Sequence, residues 1–243
     1  MKEFDYRDNT GKEILESIKI AKRFNKWMFD VIHPYCGSKV FEIGSGIGNI
    51  SEIFLNNHDG QIFLSDIDTD YCQILKKKFS AHKKCLGVES IDLVAPDFQT
   101  RYSSYFNEFD TVFALNVLEH IKEDQLAIFN ARQLLKDGGT LIILVPSYMF
   151  LYNRVDKGLG HYKRYTVKSL ETIFKLNNLK IVHSQYFNFG GIPGWFVNGK
   201  LFKNDSISVS KMKIYESLVP LFRIADRLVY HKIGLSTIVV GEK

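Results

Sequence analysis

The chain has 243 residues, 45% apolar and 24% charged, which excludes a disordered or collagen-like polymer and fits one globular domain. No apolar run approaches the ~18 residues of a membrane span. Three cysteines without C-x-x-C spacing, Cys36, Cys72 and Cys85, exclude a disulfide or zinc framework. The net charge of +5 is uneven: residues 1–150 carry 17 Lys/Arg against 21 Asp/Glu, and residues 151–243 carry 15 against 6. The basic back half suits an anionic partner or a membrane surface.

The N-terminal M-K-E-F-D-Y-R-D-N lacks an apolar h-region, and free thiols suit a reducing compartment. The expected location is therefore cytoplasmic, with peripheral contact at the inner face of a membrane. Residues 12–33 repeat apolar side chains at helical spacing, Ile14, Ile18, Ala21, Phe24, Trp27, Met28 and Val31, and Pro34 ends the pattern. Tyr6 and Arg7 ahead of it form either a lid or a frayed terminus.

The stretch K-V-F-E-I-G-S-G-I-G-N-I-S, residues 39–51, predicts a buried strand turning sharply through Gly44, Gly46 and Gly48 into a helix. Such a turn brings backbone close to a ligand and points the free N–H groups of the helix start at it. A dinucleotide fingerprint would need glycine at Asn49, so the spacing speaks against it. A second strand, Gln61–Leu64, ends in S-D-I-D. Asp66 stands at the distance where one strand–helix–strand unit returns a carboxylate to the ligand crevice, and Asp68 suits a helix cap.

A third strand is expected at Leu86–Ile91, with Asp92 and Leu93 at its end and Asp97 as a competitor. A fourth runs Phe109–Leu115 into N-V-L-E-H-I. Helical spacing at Leu126, Phe129, Ala131 and Leu134 stops at K-D-G-G, read as a helix C-cap, before a fifth strand at Thr140–Val145. Then come a polar and aromatic loop, a helix at Val167–Leu176, a sixth strand at Lys180–Phe187 and a glycine- and aromatic-rich loop over residues 189–200. Residues 211–230 read as a helix kinked or divided at Pro220, its stripe including Ile214, Tyr215, Leu218, Leu221, Phe222, Ala225, Leu228 and Val229. Leu235–Val240 is the seventh strand, pairing antiparallel with the sixth at the sheet edge. Alternating strands and helices predict a doubly wound α/β sheet.

In order, V-F-E-I-G-S-G-I-G, S-D-I-D, F-D-T-V-F-A-L-N-V-L-E-H-I and L-L-K-D-G-G-T-L-I-I-L-V-P resemble the pattern of class I S-adenosylmethionine (SAM) methyltransferases. The resemblance implies a Rossmann-like seven-stranded sheet, mostly parallel with an antiparallel last strand. It implies one methyltransferase domain, with an N-terminal helical segment at 1–34 and a SAM-binding core at 38–147. A substrate cap would be made by 148–166 and 188–234. It implies Glu42, Gly44, Ser45, Gly46 and Gly48 around the methionine part of SAM, Asp66 and Ile67 at the ribose, Asp92 and Leu93 at the adenine, and Asn116 under the sulfonium. The segments D-K-G-L-G-H-Y-K-R-Y-T and Y-F-N-F-G-G-I-P-G-W-F resemble bacterial methyltransferases found beside polysaccharide-type glycosyltransferases. That likeness implies O-methylation of a sugar or lipid-linked saccharide, with a polyprenyl-quinone-type O-methyltransferase or an amino-sugar N-methyltransferase as alternatives.

The glycine motif is also similar to that of rRNA adenine dimethyltransferases, but these need N-[IL]-P-[YF] after the fourth strand to grip a flipped base. Asn116-Val117-Leu118-Glu119 supplies neither the proline nor the aromatic ring, so nucleic acid is not the expected partner. A silent SAM-binding module need not keep the glycine loop and Asp66. Some ubiquinone-pathway enzymes are proposed to hold a cation through E-x-x-E-H; here Asn116 stands first, so no metal is expected.

In-line methyl transfer needs orientation of the acceptor and removal of its proton. His120 and His161, after the fourth and fifth strands, are the candidate bases. His120 alternatively holds its loop, and His161 is the base or an acceptor ligand. Tyr162, Arg164 and Tyr165 surround it with aromatic faces for a sugar and a cation for an anionic group. Residues 188–234, with Trp195, Phe196, Lys200, Lys203, Lys211, Lys213, Arg223 and Arg227, rest on an anionic membrane, pack on the domain or form a dimer. A monomer or a homodimer is expected.

Overall fold

The computed structural model describes residues 20–202 and 208–243; Tyr6, Arg7, Ile14, Ile18 and Lys203 lie outside these. Seven strands form one sheet in the order β3-β2-β1-β4-β5-β7-β6. Their bounds are β1 Lys39–Ile43, β2 Gln61–Asp66, β3 Cys85–Ser90, β4 Phe109–Leu115, β5 Leu135–Pro146, β6 Lys180–Phe187 and β7 Ser236–Glu242. β1 to β5 pair in parallel, while β7 runs antiparallel to both β5 and β6. The sheet agrees with the expected class I architecture.

Both faces of the central strands β1, β4 and β7 are covered, so these are buried at successive positions rather than on alternate ones. On one face Phe41, Val112, Ile143 and Val239 pack against helices α5 (Asp124–Gln133) and α7 (Val167–Leu176). On the other, Val40, Phe113, Ile142 and Val240 meet α1 (Lys22–Ile32), α2 (Asn49–Asn57), α3 (Thr69–Phe79) and Val219 of α9 (Val209–Leu228). The order of strands reverses between β1 and β4. The crevice beyond their carboxyl ends is where an open α/β sheet binds its ligand.

Several local expectations need correction. The α5 stripe is half right: Ala131 and Leu134 are buried as expected, but Leu126 and Phe129 are 42% and 43% exposed, and Ala127 and Ile128 face the sheet in their place. The K-D-G-G segment does not cap that helix, which ends at Gln133. It forms an irregular opening of β5, where the register against β4 shifts and Gly138 takes a φ of 77°. Residues 189–200 are not a loop. They hold α8 (Gly191–Phe196) and most of a π-helical turn, Val197–Leu201. Gly190 is there for close approach, since a Cβ would lie 2.0 Å from the Phe222 ring. Two further short helices, α4 (Phe98–Arg101) and α6 (Arg154–Gly158), flank β4 and follow β5.

α9 runs unbroken past Pro220. Proline cannot donate to the carbonyl four residues back, that of Glu216, which instead accepts from Arg23 Nη1 at 3.5 Å. The Glu216 carboxylate takes the Arg23 and Phe24 N–H groups at 2.8 and 3.0 Å, so α9 satisfies free donors at the start of α1. The stripe expected on α9 is partly wrong: Tyr215 and Phe222 pack inward, whereas Ile214, Leu221 and Leu228 are exposed.

Asp226 ties this helix to the sheet. Its fully buried carboxylate accepts from the Asn188 and Phe189 N–H groups at 2.7 and 2.6 Å, at the end of β6. Asp226→Ala leaves two donors unpaired and is expected to cost about 3 kcal/mol in urea unfolding. A loss under about 1 kcal/mol would refute this role.

Candidate functional site

β1 ends in a loop whose glycines take φ values of 70°, 53° and 82° at Gly44, Gly46 and Gly48. Gly44 and Gly46 line a cavity of ≈ 990 Å³ that opens beyond the carboxyl ends of β1, β4 and β5. A Cβ at Gly44 would meet Val117 Cγ2 at 2.3 Å, so the left-handed backbone and the close packing both require glycine. Gly48 does not line the cavity; its missing side chain makes room for Phe79, 2.4 Å from a built Cβ.

Glu42, Ser45 and Asn116 line the cavity. Burial pushes the Glu42 carboxyl up to about 7, against hydrogen bonds from the Ser51 and Ser45 hydroxyls. Asp66 lies outside the cavity wall, and its carboxylate accepts from the Gly46 and Asp68 N–H groups at 2.8 and 3.0 Å. It therefore shapes the glycine loop directly. Ile67 beside it is 65% exposed, an apolar side chain left open at the end of β2. Asp68 caps α3 through the Asp70 N–H. Asp92 turns back on the Val94 N–H at 2.9 Å and Leu93 is in the core, so neither reaches the cavity. Asp97 precedes α4 and does not line it either.

At the end of β4 the chain makes a single 3-10 turn, Leu118–His120. The segment after β5 is bound to that turn by the Tyr162 N–H donating to the Glu119 carbonyl at 2.8 Å. This brings His161 against His120, ring centroids 4.7 Å apart and nearly perpendicular. His161 Nε2 lies 4.0 Å from Glu119 Oε1, and its Nδ1 bonds Asp156 Oδ1 at 2.9 Å. Glu119 is fully buried, and neither carboxylate oxygen has a hydrogen-bond partner among the described residues. Burial pushes its carboxyl up to about 8, despite the nearby Arg164 charge. Burial likewise pushes His120 down to about 4, helped by His161, although its ring bonds the Leu159 carbonyl. Glu119, His120 and His161 all line the cavity.

Neither aromatic residue expected beside the acceptor lines the cavity. Tyr165 is buried, its hydroxyl donating to Asp124 Oδ2 at 3.1 Å, and Tyr162 is exposed and off the cavity wall. Arg164 does line the cavity; its Nε donates to Asp156 at 2.8 Å, its Nη1 to the Ser147 carbonyl at 3.0 Å, and its guanidinium lies 4.6 Å from the Trp195 ring. Sequence reasoning missed Glu119, Asp156 and Tyr71 as site residues. The E-H pair at 119–120 was visible, but its partner loop was not.

Residues 41–141 match the Methyltransf_12 family, a methyltransferase domain. Over 182 residues, 71% of this chain and 4% of its relative, the sequence is 27% identical to a hybrid PKS-NRPS synthetase, opdA, of Penicillium oxalicum. The chain thus spans a small fraction of that protein's length. In structure it is similar to a SAM-dependent methyltransferase from Archaeoglobus fulgidus, with a TM-score of 0.59, 16% identity and coverage of 91% and 94%. It is also similar to phosphoethanolamine N-methyltransferase 2 of Haemonchus contortus in complex with S-adenosyl-L-methionine. There the TM-score is 0.63 and the identity 14%, with 100% of this chain and 60% of the other covered. These likenesses show the class I fold, and the match to a methyltransferase domain covers residues 41–141 of the 243.

Glu42 gives a pH test. Its carboxyl titrates near 4.5 when unfolded and near 7 when folded, so between these values the folded chain keeps a proton that the unfolded chain has lost. Stability therefore falls as pH rises through this window, by about 3 kcal/mol. Glu42→Gln should remove that part of the decline, giving a flatter melting-temperature profile from pH 4.5 to 8 than the wild type. Parallel profiles would refute it.

Proposed function

We propose that the chain transfers the methyl group of SAM to a hydroxyl of a small-molecule or glycoconjugate acceptor, a sugar or lipid-linked saccharide. The observation that carries this is the cluster of Glu119, His120 and His161 on the wall of the cavity that also holds the glycine loop. The sulfonium supplies an activated methyl, so the protein must place a nucleophile in line and remove its proton. A hydroxyl needs that removal, and this cluster is where the acceptor oxygen is bound and deprotonated. Arg164, whose Nη2 has no hydrogen-bond partner among the described residues, faces an anionic group of the acceptor.

Support for a lipid-linked acceptor comes from the far end of the cavity. Pockets of about 300–1,000 Å³ hold a drug-sized ligand, so ≈ 990 Å³ leaves room beside the donor. Val197, Phe202, Ile214 and Leu218 line this cavity and are also exposed, which makes an apolar rim between α8 and α9. Lys211 stands on the same rim. Among the described residues no helix is long and apolar enough to cross a membrane, so contact would be peripheral, through 188–234 at the inner face.

His161→Ala should lower methyl transfer at least about 100-fold, with SAM affinity by calorimetry within about threefold of wild type. The assay is release of S-adenosylhomocysteine against a panel of nucleotide sugars, lipid-linked saccharides, polyprenyl phenols and amino sugars. Unchanged turnover, or transfer only to an amine or phenol, refutes the reading. For the rim, sedimentation with anionic vesicles should retain the wild type and lose Phe202→Ser/Ile214→Ser. Equal retention of both, or of neither, excludes the membrane contact.

A further inference from the structure

The cluster at the cavity wall has the composition of a metal site. Glu119, His120 and His161 each offer one ligand atom, and these atoms lie within 4.8 Å of one another. His161 turns Nδ1 to the Asp156 carboxylate and leaves Nε2 toward Glu119. His120 is held by the Leu159 carbonyl. Imidazoles fixed by a carboxylate or a backbone carbonyl are the usual arrangement behind metal-bound histidine, since the outer bond sets the ring and its tautomer. The second observation is Glu119 itself: a fully buried carboxylate beside both rings, with neither oxygen hydrogen-bonded among the described residues. Buried carboxylates are ordinarily paired, and this one lacks the partner a cation would supply.

We propose that Glu119, His120 and His161 bind one divalent cation of the borderline class, such as Zn²⁺, Mn²⁺, Fe²⁺ or Co²⁺. Two imidazoles and one carboxylate suit these ions better than Mg²⁺ or Ca²⁺, which prefer oxygen alone. The atoms need only a small inward rotation. Ligands at about 2.1 Å from an ion are at most about 4.2 Å apart, and Glu119 has no hydrogen bond among the described residues to break in closing the gap. Three protein ligands leave positions open to the cavity, the arrangement of a catalytic rather than a structural ion. This inference rests on the hydroxyl-acceptor reading and gives His161 its role there, as a ligand. An acceptor hydroxyl in an open position would lose its proton to water. Its oxygen would form the new C–O bond as the S–CH₃ bond of SAM breaks, leaving S-adenosylhomocysteine.

The test uses the full chain, stripped with chelator and dialysed, and needs no acceptor. Mn²⁺ binding is followed by electron paramagnetic resonance, and Co²⁺ binding by its d–d absorption. Zn²⁺ content is measured by elemental analysis after desalting. Wild type and the exposed-loop control His82→Ala should bind one ion per chain, and Glu119→Gln and His161→Ala should weaken binding at least about tenfold. If Glu119→Gln does not fold by circular dichroism, His120→Ala carries the test. Wild type binding no ion, or cluster variants binding as tightly as wild type, overturns the proposal. SAM is titrated into the same samples: donor binding without ion binding sinks the cation alone, and loss of both sinks the methyltransferase reading.

Discussion

One buried carboxylate, Asp156, organises the segment on which the chemistry depends. It accepts from the Asn153 N–H at 2.9 Å, from His161 Nδ1 at 2.9 Å and from Arg164 Nε at 2.8 Å, and it is fully excluded from solvent. Burial alone would push its carboxyl up, but the His161 hydrogen bond and the Arg164 charge hold it below the usual carboxylate range. A buried ion pair of this kind is poor evidence for added stability, because desolvation offsets the attraction. Its consequence is geometric. With Asp156 fixed, the ring of His161 can present only Nε2 to the cavity, and Arg164 cannot swing away from Trp195 without abandoning an ion pair.

The same segment is joined to the end of β4 by backbone and buried side-chain bonds. Tyr162 N–H to the Glu119 carbonyl connects it to the turn after β4, Tyr165 O–H to Asp124 connects it to the start of α5, and Ser147 bridges to Tyr165 in parallel. The Tyr162 backbone and the Tyr165 hydroxyl thus hold two loops in register. That leaves the glycine loop, the cluster and the α8–α9 rim as three parts of one continuous cavity, each built on a different element of the sheet or cap.

Much of the core was legible in the sequence because its signals are local. β1, β2 and β4 are largely apolar, β-rich runs bounded by turn residues, and Asp68 caps α3 as a short-range pattern would have it. The glycine trio marked the ligand turn, though only two of its members face the cavity. What failed depended on distant partners. Gly190 reads as a loop former until Phe222, on another helix, occupies its Cβ position. The α9 stripe misleads because Glu216 and Asp226, charged residues, are buried there to satisfy backbone donors of α1 and β6, while leucines face out. His120 and His161 were visible singly; their meeting with Glu119 required the loop after β5 to fold back.

The expectation of no metal turned on Asn116, a neutral residue where a carboxylate was wanted. The backbone explains the asparagine. Asn116 takes a φ of 56° at the end of β4, where its N–H donates to the Leu144 carbonyl at 2.8 Å. Asparagine tolerates the left-handed region far better than glutamate, because its short polar side chain can bond locally. The position is therefore constrained by the turn. Glu119, three residues on and past the strained point, is the carboxylate that turns into the cavity wall, and the donors beside it are His120 from the same turn and His161 from the loop that Asp156 holds. A site assembled in this way has no linear motif, because its spacing is set by the hydrogen bond between two loops.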